Sequence, residues 1–142
     1  MPRDAERVNT VALLGRAYSL LGFRIVDGVV GAGFPQKPRH SAVFAQIHPE
    51  GSRLSDLARA ANMTPQSMGE IVDELEELGY VERRPDPTDR RAKLVTLTAR
   101  GFECLAAGEQ TIRGLESEID DLLGAASHAE LRRLLEQLIS ES

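Results

Sequence analysis

The sequence has no tryptophan, one cysteine, and only four phenylalanines and two tyrosines, and these scarcities exclude several classes of protein. The single cysteine, Cys104, cannot form an internal disulfide framework and suits a reducing compartment. No apolar run approaches the roughly 20 residues needed to cross a bilayer, and the N-terminus lacks the apolar segment of a signal peptide. We therefore expect a cytoplasmic protein without membrane association, whose core consists of Leu, Val, Ile and Ala.

Charge is distributed unevenly along the 142 residues, although the net charge of −5 alone disfavours a nucleic-acid binder. Residues 1–51 carry +2, residues 52–100 carry −1 and residues 101–142 carry −6. Within residues 81–100, however, six basic residues oppose three acidic ones. An acidic chain with one basic segment is suited to meeting phosphate at a single place.

Apolar residues at three- and four-residue spacing predict six helices, at about 4–30, 38–47, 54–61, 65–78, 99–123 and 131–139. Thr64 is expected to cap the fourth helix, with Pro65 at its first position and Gly79 just beyond its end. Ser127 and Glu130 have the spacing of a capping box before the last helix. The fourth helix therefore has the best-defined ends.

Two strand-like runs, 80–84 and 92–98, are predicted to form a hairpin with a basic tip, because Pro and Asp residues turn the chain between them. Thr98 is expected to cap the fifth helix. The predicted fold is mainly α with a small β-hairpin wing, a winged helix-turn-helix flanked by long dimerisation helices. The apolar faces of those long helices need a partner, and a second copy of the chain is the simplest one.

The segment 54–101 contains LSDLARAANMTPQSMGEIVDELEELGY at 54–80 and RPDPTDRRAKLVTLTARG at 84–101. This segment resembles the MarR family of bacterial transcription regulators. The resemblance implies one domain over 1–142, with dimerisation helices at 1–35 and 99–142 and a DNA-binding module at 38–98. It also implies a homodimeric repressor of a near-palindromic operator, released by a small-molecule ligand or an oxidant.

Ten residues are predicted to contact double-stranded DNA: Thr64, Pro65, Gln66 and Ser67 at the start of the fourth helix, and Arg83, Arg84, Asp89, Arg90, Arg91 and Lys93 on the wing. A helix N-terminus can enter the major groove, where a glutamine side chain can pair with adenine. Arginine suits the narrow minor groove, and the sequence leaves open which of Arg90 and Arg91 enters it. The resemblance implies that Asp89 and Arg91 form a paired motif. The alternative is that these residues are only caps and solvated side chains.

Other residues carry two interpretations each. Tyr18, Phe23, His40 and Phe44 line either a ligand pocket or the core. Cys104 is either a small apolar residue or, as in some relatives of the resembled family, an oxidant sensor. The histidines lie in no zinc-ligand spacing, and no cofactor or metal is expected.

Two features of the helix-turn-helix segment bear on its function. In relatives of the resembled family a capping Thr or Ser is common at the position of Arg53, before the third helix, and Asp56 is expected to accept a bond from the first turn of that helix. The acids Asp73, Glu74, Glu76 and Glu77 are expected to face solvent or basic neighbours. If they face a partner instead, the chain is a protein-interaction module without direct DNA binding. An enzyme is the weakest interpretation, because no catalytic constellation is evident.

Overall fold

The computed structural model describes residues 8–142, which contain six α-helices, one 3₁₀ helix and three strands. In chain order they are α1 (Thr10–Gly31), the 3₁₀ helix (Pro38–His40), α2 (Ser41–Phe44), β1 (Ser52–Arg53), α3 (Leu54–Ala60), α4 (Pro65–Glu77), β2 (Val81–Asp86), β3 (Asp89–Leu97), α5 (Ala99–Leu123) and α6 (Ala125–Ser140). The chain divides into two units, residues 1–108 and 109–142. None of the described helices is both long and apolar enough to span a membrane.

The first helix starts later than predicted. Asn9 precedes α1 in an extended conformation, and its side chain accepts a hydrogen bond from Ala12 N at 2.8 Å. A side-chain cap at this position fixes the helix start. Residues 8 and 9, which were predicted to be helical, therefore lie before the helix. Residues 4–7 lie outside the described part of the chain. The predicted end near residue 30 is confirmed.

The second predicted helix, 38–47, is shorter and partly 3₁₀. Pro38–His40 form a 3₁₀ turn, and α2 then covers only Ser41–Phe44. The amides of Gln46 and Ile47 both donate to the Val43 carbonyl, which closes the helix in a turn. The apolar pattern therefore continues beyond the helix because Ile47 packs on the core from this turn.

The core of the first unit lies between α3, α4, the sheet and α5. Its buried residues are Val29, Val43, Leu57, Ala58, Met68, Ile71, Val72, Leu75, Tyr80, Val81, Val95, Leu97 and Cys104. The predicted ends of α4 are confirmed, since Thr64 caps it and Gly79 follows it with a φ of 82°. Glycine adopts this left-handed conformation without steric cost, and Tyr80 N then donates to Leu75 O at 2.9 Å.

The strands form an antiparallel sheet in the order β1-β3-β2. The two-residue strand β1 was not predicted; it pairs Ser52 with Val95 and Arg53 with Leu94. The hairpin strands are longer than predicted, so the 85–91 connection shrinks to residues 87–88. A register shift follows Pro85, which pairs with Lys93, whereas the next residue pairs with Asp89.

The second unit contains the end of α5 and all of α6. The predicted capping box is wrong, because α6 begins at Ala125 and both Ser127 and Glu130 lie inside it. Gly124 precedes the helix with a φ of 86° and makes no side-chain cap. Its carbonyl accepts the first helical bond from His128 N at 3.0 Å, and Glu130 pairs with Arg133 instead of capping.

Candidate nucleic-acid interface

The turn between α3 and α4 is tight and is closed by the backbone. Asn62 has a φ of 54°, a left-handed conformation that asparagine tolerates better than most residues. Met63 N donates to Ala58 O at 2.8 Å. Because α4 starts two residues later, α3 and α4 form a helix-turn-helix.

The first turn of α4 presents polar groups to solvent. Thr64 Oγ1 accepts from Ser67 N at 3.1 Å and donates to Ser67 Oγ at 3.0 Å, while Pro65 occupies the first helical position. Gln66 and Ser67 are exposed, because the opposite face of α4 is buried through Met68, Ile71, Val72 and Leu75. The Ser67 hydroxyl accepts from Thr64, so its own hydrogen is available to donate outward. The four residues predicted on this helix therefore lie together on one exposed turn.

Glu74, in the second half of α4, is bound by two basic side chains. Arg39 Nε donates to Oε2 at 2.8 Å, and His40 Nε2 lies 2.7 Å from the same oxygen. His40 Nδ1 accepts from Lys37 N at 3.0 Å, so Nε2 carries the hydrogen in this arrangement. The hydrogen bonds from Arg39 and then His40 lower the pKa of Glu74 to about 2. The hydrogen-bonding capacity of this carboxylate is therefore used by residues of the protein itself.

Two other acids of α4 are bound by a wing residue. Arg83 Nη2 lies 3.0 Å from Asp73 Oδ1, and its Nη1 pairs with Glu76. The expectation that these acids face basic neighbours is confirmed for Asp73, Glu74 and Glu76. Arg84 Nε donates to Glu82 at 2.7 Å. Phosphate contact by Arg83 and Arg84 stays a prediction, and it requires each to share or leave its carboxylate partners.

The wing tip holds three exposed cationic side chains. The side chain of Arg91 is 98% exposed, and Arg90 and Lys93 are also exposed. Asp89 Oδ1 accepts from Arg91 N at 3.0 Å and lies 4.0 Å from its Nε. The pairing of Asp89 with Arg91 is therefore present, and it orients this part of the strand without enclosing the guanidinium.

The tip end of the wing contains a contact that sequence reasoning missed. Asp86 is buried, and its Oδ1 accepts from Thr88 N and Thr88 Oγ1, both at 2.8 Å. Its Oδ2 accepts from Arg53 Nε at 2.8 Å and pairs with Arg53 Nη2 at 2.7 Å. The hydrogen bonds from Thr88 and then Arg53 lower the pKa of Asp86 to about 2. The available signal was the unusual arginine at a cap position.

Asp56 does not cap α3 as predicted. Its Oδ1 lies 3.3 Å from Arg59 Nη1, and Arg53 precedes the helix without a side-chain cap. A salt bridge one turn along the helix competes with capping for the same carboxylate. The start of α3 is fixed instead by the pairing of β1 with β3.

The predicted pocket residues are not all brought together. Tyr18 and Phe23 line a cleft of about 280 Å³ between α1 and the 3₁₀ helix, with Ser19, Gly22, Pro38 and Ser41. His40 is buried against Glu74, and Phe44 packs edge-on against Tyr80 with ring centroids 5.9 Å apart. Neither lines this cleft, because each is held by the core of the helix-turn-helix.

Cys104 behaves as a core residue. Its thiol is buried, and Sγ lies 3.6 Å from Gln36 Oε1. Burial raises the pKa of Cys104 to about 11, so the thiolate that reacts with oxidants is scarce at neutral pH. This favours the structural interpretation over an oxidant sensor. Within residues 8–142, no group of three or more His, Cys, Asp or Glu side chains is placed to hold a metal ion.

A model of the MarR family matches residues 37–92. The HTH-type transcriptional repressor Rv2887 of Mycobacterium tuberculosis is 34% identical over 91 residues, which is 64% of this chain and 66% of that protein. The matched stretch thus spans slightly less than two thirds of that relative's own length. The family-model match, residues 37–92, includes the helix-turn-helix and the tip of the wing.

Solved structures give the same architecture over a longer stretch. Rv2887 in complex with p-aminosalicylic acid is 26% identical with a TM-score of 0.67, and the match covers 92% of this chain and 98% of that one. CouR of Rhodococcus jostii RHA1, bound to a 23-mer DNA duplex, is 22% identical with a TM-score of 0.77 and 92% coverage of both chains. The second likeness shows the fold alone.

Proposed function

We propose, from the premise that this chain belongs to the MarR family, that it is a homodimeric transcriptional repressor that binds a near-palindromic operator. One observation carries the proposal: an exposed polar helix start and an exposed arginine-bearing wing belong to the same small unit. Three of the acids that would repel DNA along α4, namely Asp73, Glu74 and Glu76, are bound by basic residues of the same unit.

The two exposed features match different grooves of the duplex. The major groove of B-DNA admits an α-helix, whose N-terminal residues reach the base edges. Gln66 can pair there with adenine, Ser67 can donate to a base or a phosphate, and Thr64 and Pro65 set the start of the helix. Arg90 and Arg91 reach the minor groove, while Asp89 positions the strand that bears them. Lys93 meets the backbone phosphates.

Dimerisation follows from apolar faces that each unit leaves exposed. On α1 these residues are Val11, Leu13, Leu14, Tyr18 and Leu20, and on α6 they are Leu131, Leu134, Leu138 and Ile139. Exposed apolar side chains in this number on two helices favour an interaction surface. We propose that residues 1–35 and 99–142 supply the dimer contacts and residues 38–98 the DNA contacts. A dimer then places two copies of α4, one from each chain, on one palindromic site.

The dimer is tested by measuring molar mass in solution. Light scattering after size-exclusion chromatography at micromolar concentration is expected to give twice the 15.5 kDa of one chain. Replacing Leu134 and Leu138 by aspartate should shift the chain toward the monomer, because a charged residue in an apolar interface loses its hydration. A wild-type chain that stays monomeric contradicts the role assigned to these helices.

We further propose that a small molecule relieves repression by binding in the cleft beside Tyr18 and Phe23. The relative Rv2887 has been crystallised with salicylic acid and with p-aminosalicylic acid. In this chain the cleft lies between α1 and the residues Pro38 and Ser41, which flank Arg39 and His40. The side chains of Arg39 and His40 hold Glu74 of α4. A ligand that moves Pro38 or Ser41 therefore acts on α4 through the three hydrogen bonds that Arg39 and His40 make to Glu74.

The competing interpretation as a protein-interaction module depended on free acids along α4. Three of them are bound by Arg39, His40 or Arg83, so that surface is less acidic than its sequence indicates.

The family consists of transcriptional regulators, and we propose no catalytic activity. A regulator of this kind acts on chromosomal DNA, and we place it in the cytoplasm.

DNA binding is tested by sequencing the fragments that the purified chain retains from its own genome. We expect a small set of fragments that share a near-palindromic sequence. The affinity for the recovered duplex should fall steeply with salt, since each neutralised phosphate adds roughly one unit to the slope of log affinity against log salt. A folded chain that retains no fragment at low salt, in the absence of any small molecule, contradicts the proposed function.

A further inference from the structure

The tip of the wing lacks an apolar core of its own. Of residues 84–93, which include the whole tip, only Asp86 is buried. A two-stranded hairpin without apolar packing is marginally stable in water. The orientation of the tip therefore depends on the polar contacts of Asp86.

Both oxygens of the Asp86 carboxylate are fully used. Oδ1 accepts two hydrogen bonds from Thr88 within the tight turn, and Oδ2 receives the Nε and Nη2 groups of Arg53. The first pair fixes the turn itself. The second pair ties the turn to the strand that precedes α3, which lies outside the hairpin.

The pairing of β2 with β3 extends this connection to the exposed arginines. Asp86 pairs with Asp89 across the hairpin, whereas the preceding Pro85 pairs with Lys93. Residues 90–92 therefore form a bulge, and bulges change the direction in which side chains point. Asp89 in turn accepts from Arg91 N at 3.0 Å. One continuous set of contacts thus runs from Arg53 through Asp86 and Asp89 to the bulge.

We propose that Arg53 is a positioning residue for the wing, which holds the bulge in the orientation that presents Arg90 and Arg91 to the minor groove. The inference rests on the proposed function. Arg53 acts through Asp86 and makes no base contact of its own. A fork of two N–H groups on one carboxylate oxygen suits this role, because a charge-assisted contact of that kind is stronger and more directional than a single neutral bond.

The main alternative is that Arg53, whose side chain is 40% exposed, binds a phosphate directly. A double-mutant cycle with Arg53→Met and Asp86→Asn separates the two roles. Asparagine keeps an oxygen for Thr88 but turns an NH₂ group toward Arg53. If Arg53 acts through Asp86, its removal matters only while the carboxylate is present.

The cycle is measured by titrating a fluorescent duplex that the wild-type chain has recovered from a random-sequence pool. We expect Arg53→Met to weaken binding about tenfold in the wild-type background and less than about twofold in the Asp86→Asn background. Hydroxyl-radical footprints should lose the protection contributed by the wing and keep the protection contributed by α4. Arg133→Met, which removes an arginine paired with Glu130 on α6, serves as the control and should bind like the wild type.

The outcomes distinguish this inference from the proposed function. An equal loss in both backgrounds, or no loss in either, overturns the positioning role while leaving DNA binding intact. A wild-type chain that binds no duplex overturns the proposed function and this inference with it. Should Arg53→Met unfold, Arg53→Lys replaces it in the same cycle, since lysine keeps the charge but supplies no fork. The expected loss of DNA affinity is then smaller, and it must likewise vanish in the Asp86→Asn background.

Discussion

Replacing Arg90 and Arg91 together by alanine is expected to weaken DNA binding about thirtyfold or more. A good contact to a base or groove contributes about 1–3 kcal/mol, and 1.4 kcal/mol corresponds to a tenfold change in affinity. Both side chains are exposed, so the substitution removes no packing that stabilises the free protein. The loss should therefore appear in binding and not in unfolding.

The measurement is a fluorescence titration of the recovered operator duplex at several salt concentrations. Loss of two cationic contacts should reduce the salt slope as well as the affinity. The two single variants then assign the larger contribution, which the sequence left open. Arg91 has its amide and guanidinium beside Asp89, whereas no ion pair of Arg90 is present among residues 8–142.

A matched control exists in the adjacent pair Arg132 and Arg133 of α6. These arginines change the net charge by the same amount when replaced by alanine, and they pair with Glu116 and Glu130. At 100° per residue Arg133 lies opposite Leu131, Leu134 and Leu138, whereas Arg132 lies beside Ile139 at the edge of the apolar face, where alanine keeps the surface apolar. The control should bind DNA within about twofold of the wild type. Equal losses in both double variants point to net charge, not to the wing.

The elements that sequence analysis located well are those set by neighbouring residues. Thr64, Pro65 and Gly79 define α4 through capping and backbone preferences that operate within one helical turn, and all three roles are confirmed. The exposed positions of Gln66, Arg90 and Arg91 follow from the same local pattern. These features need no knowledge of the rest of the chain.

The features that were missed depend on contacts between distant parts of the chain. Strand β1 is only two residues long and exists because it pairs with β3, some 40 residues later. Arg53 and Asp86 meet for the same reason, and Arg83 meets Glu76 only because β2 folds back on α4. The error at α6 was different in kind. Ser127 and Glu130 had the spacing of a cap, but Gly124 started the helix earlier.

A close backbone approach at the start of α5 was also invisible in the sequence. Thr98 N donates to Tyr80 O at 3.0 Å, which brings the Tyr80 carbonyl over the first turn of α5. Gly101 N donates to Thr98 Oγ1 at 3.0 Å, and Gly101 lies against the Tyr80 carbonyl. A Cβ atom placed on Gly101 would lie 2.0 Å from Tyr80 O and 3.1 Å from Leu97 Cδ2. Only glycine permits this arrangement.

Gly101→Ala is consequently expected to reduce the free energy of unfolding by about 3 kcal/mol or more. Overpacking of a core commonly costs about 1–3 kcal/mol, and here the obstacle is backbone, which cannot rotate away. Moving Tyr80 would also disturb a fully buried ring whose hydroxyl donates to Pro35 O at 2.6 Å. Urea unfolding at one fixed protein concentration measures the effect, since the stability of a dimer depends on concentration.

Gly114→Ala on the same helix is the matched control for Gly101→Ala. No described atom beyond the local helix lies within 4 Å of the position that its Cβ would take. Alanine there restricts the unfolded chain and favours the helix, so stability should stay unchanged or rise by up to about 1 kcal/mol. Opposite signs for the two substitutions would locate the cost of Gly101→Ala in the contact with Tyr80. If the free energy of unfolding of Gly101→Ala lies within about 1 kcal/mol of the wild-type value, the prediction is wrong. The start of α5 must then be able to move away from the Tyr80 carbonyl at little cost.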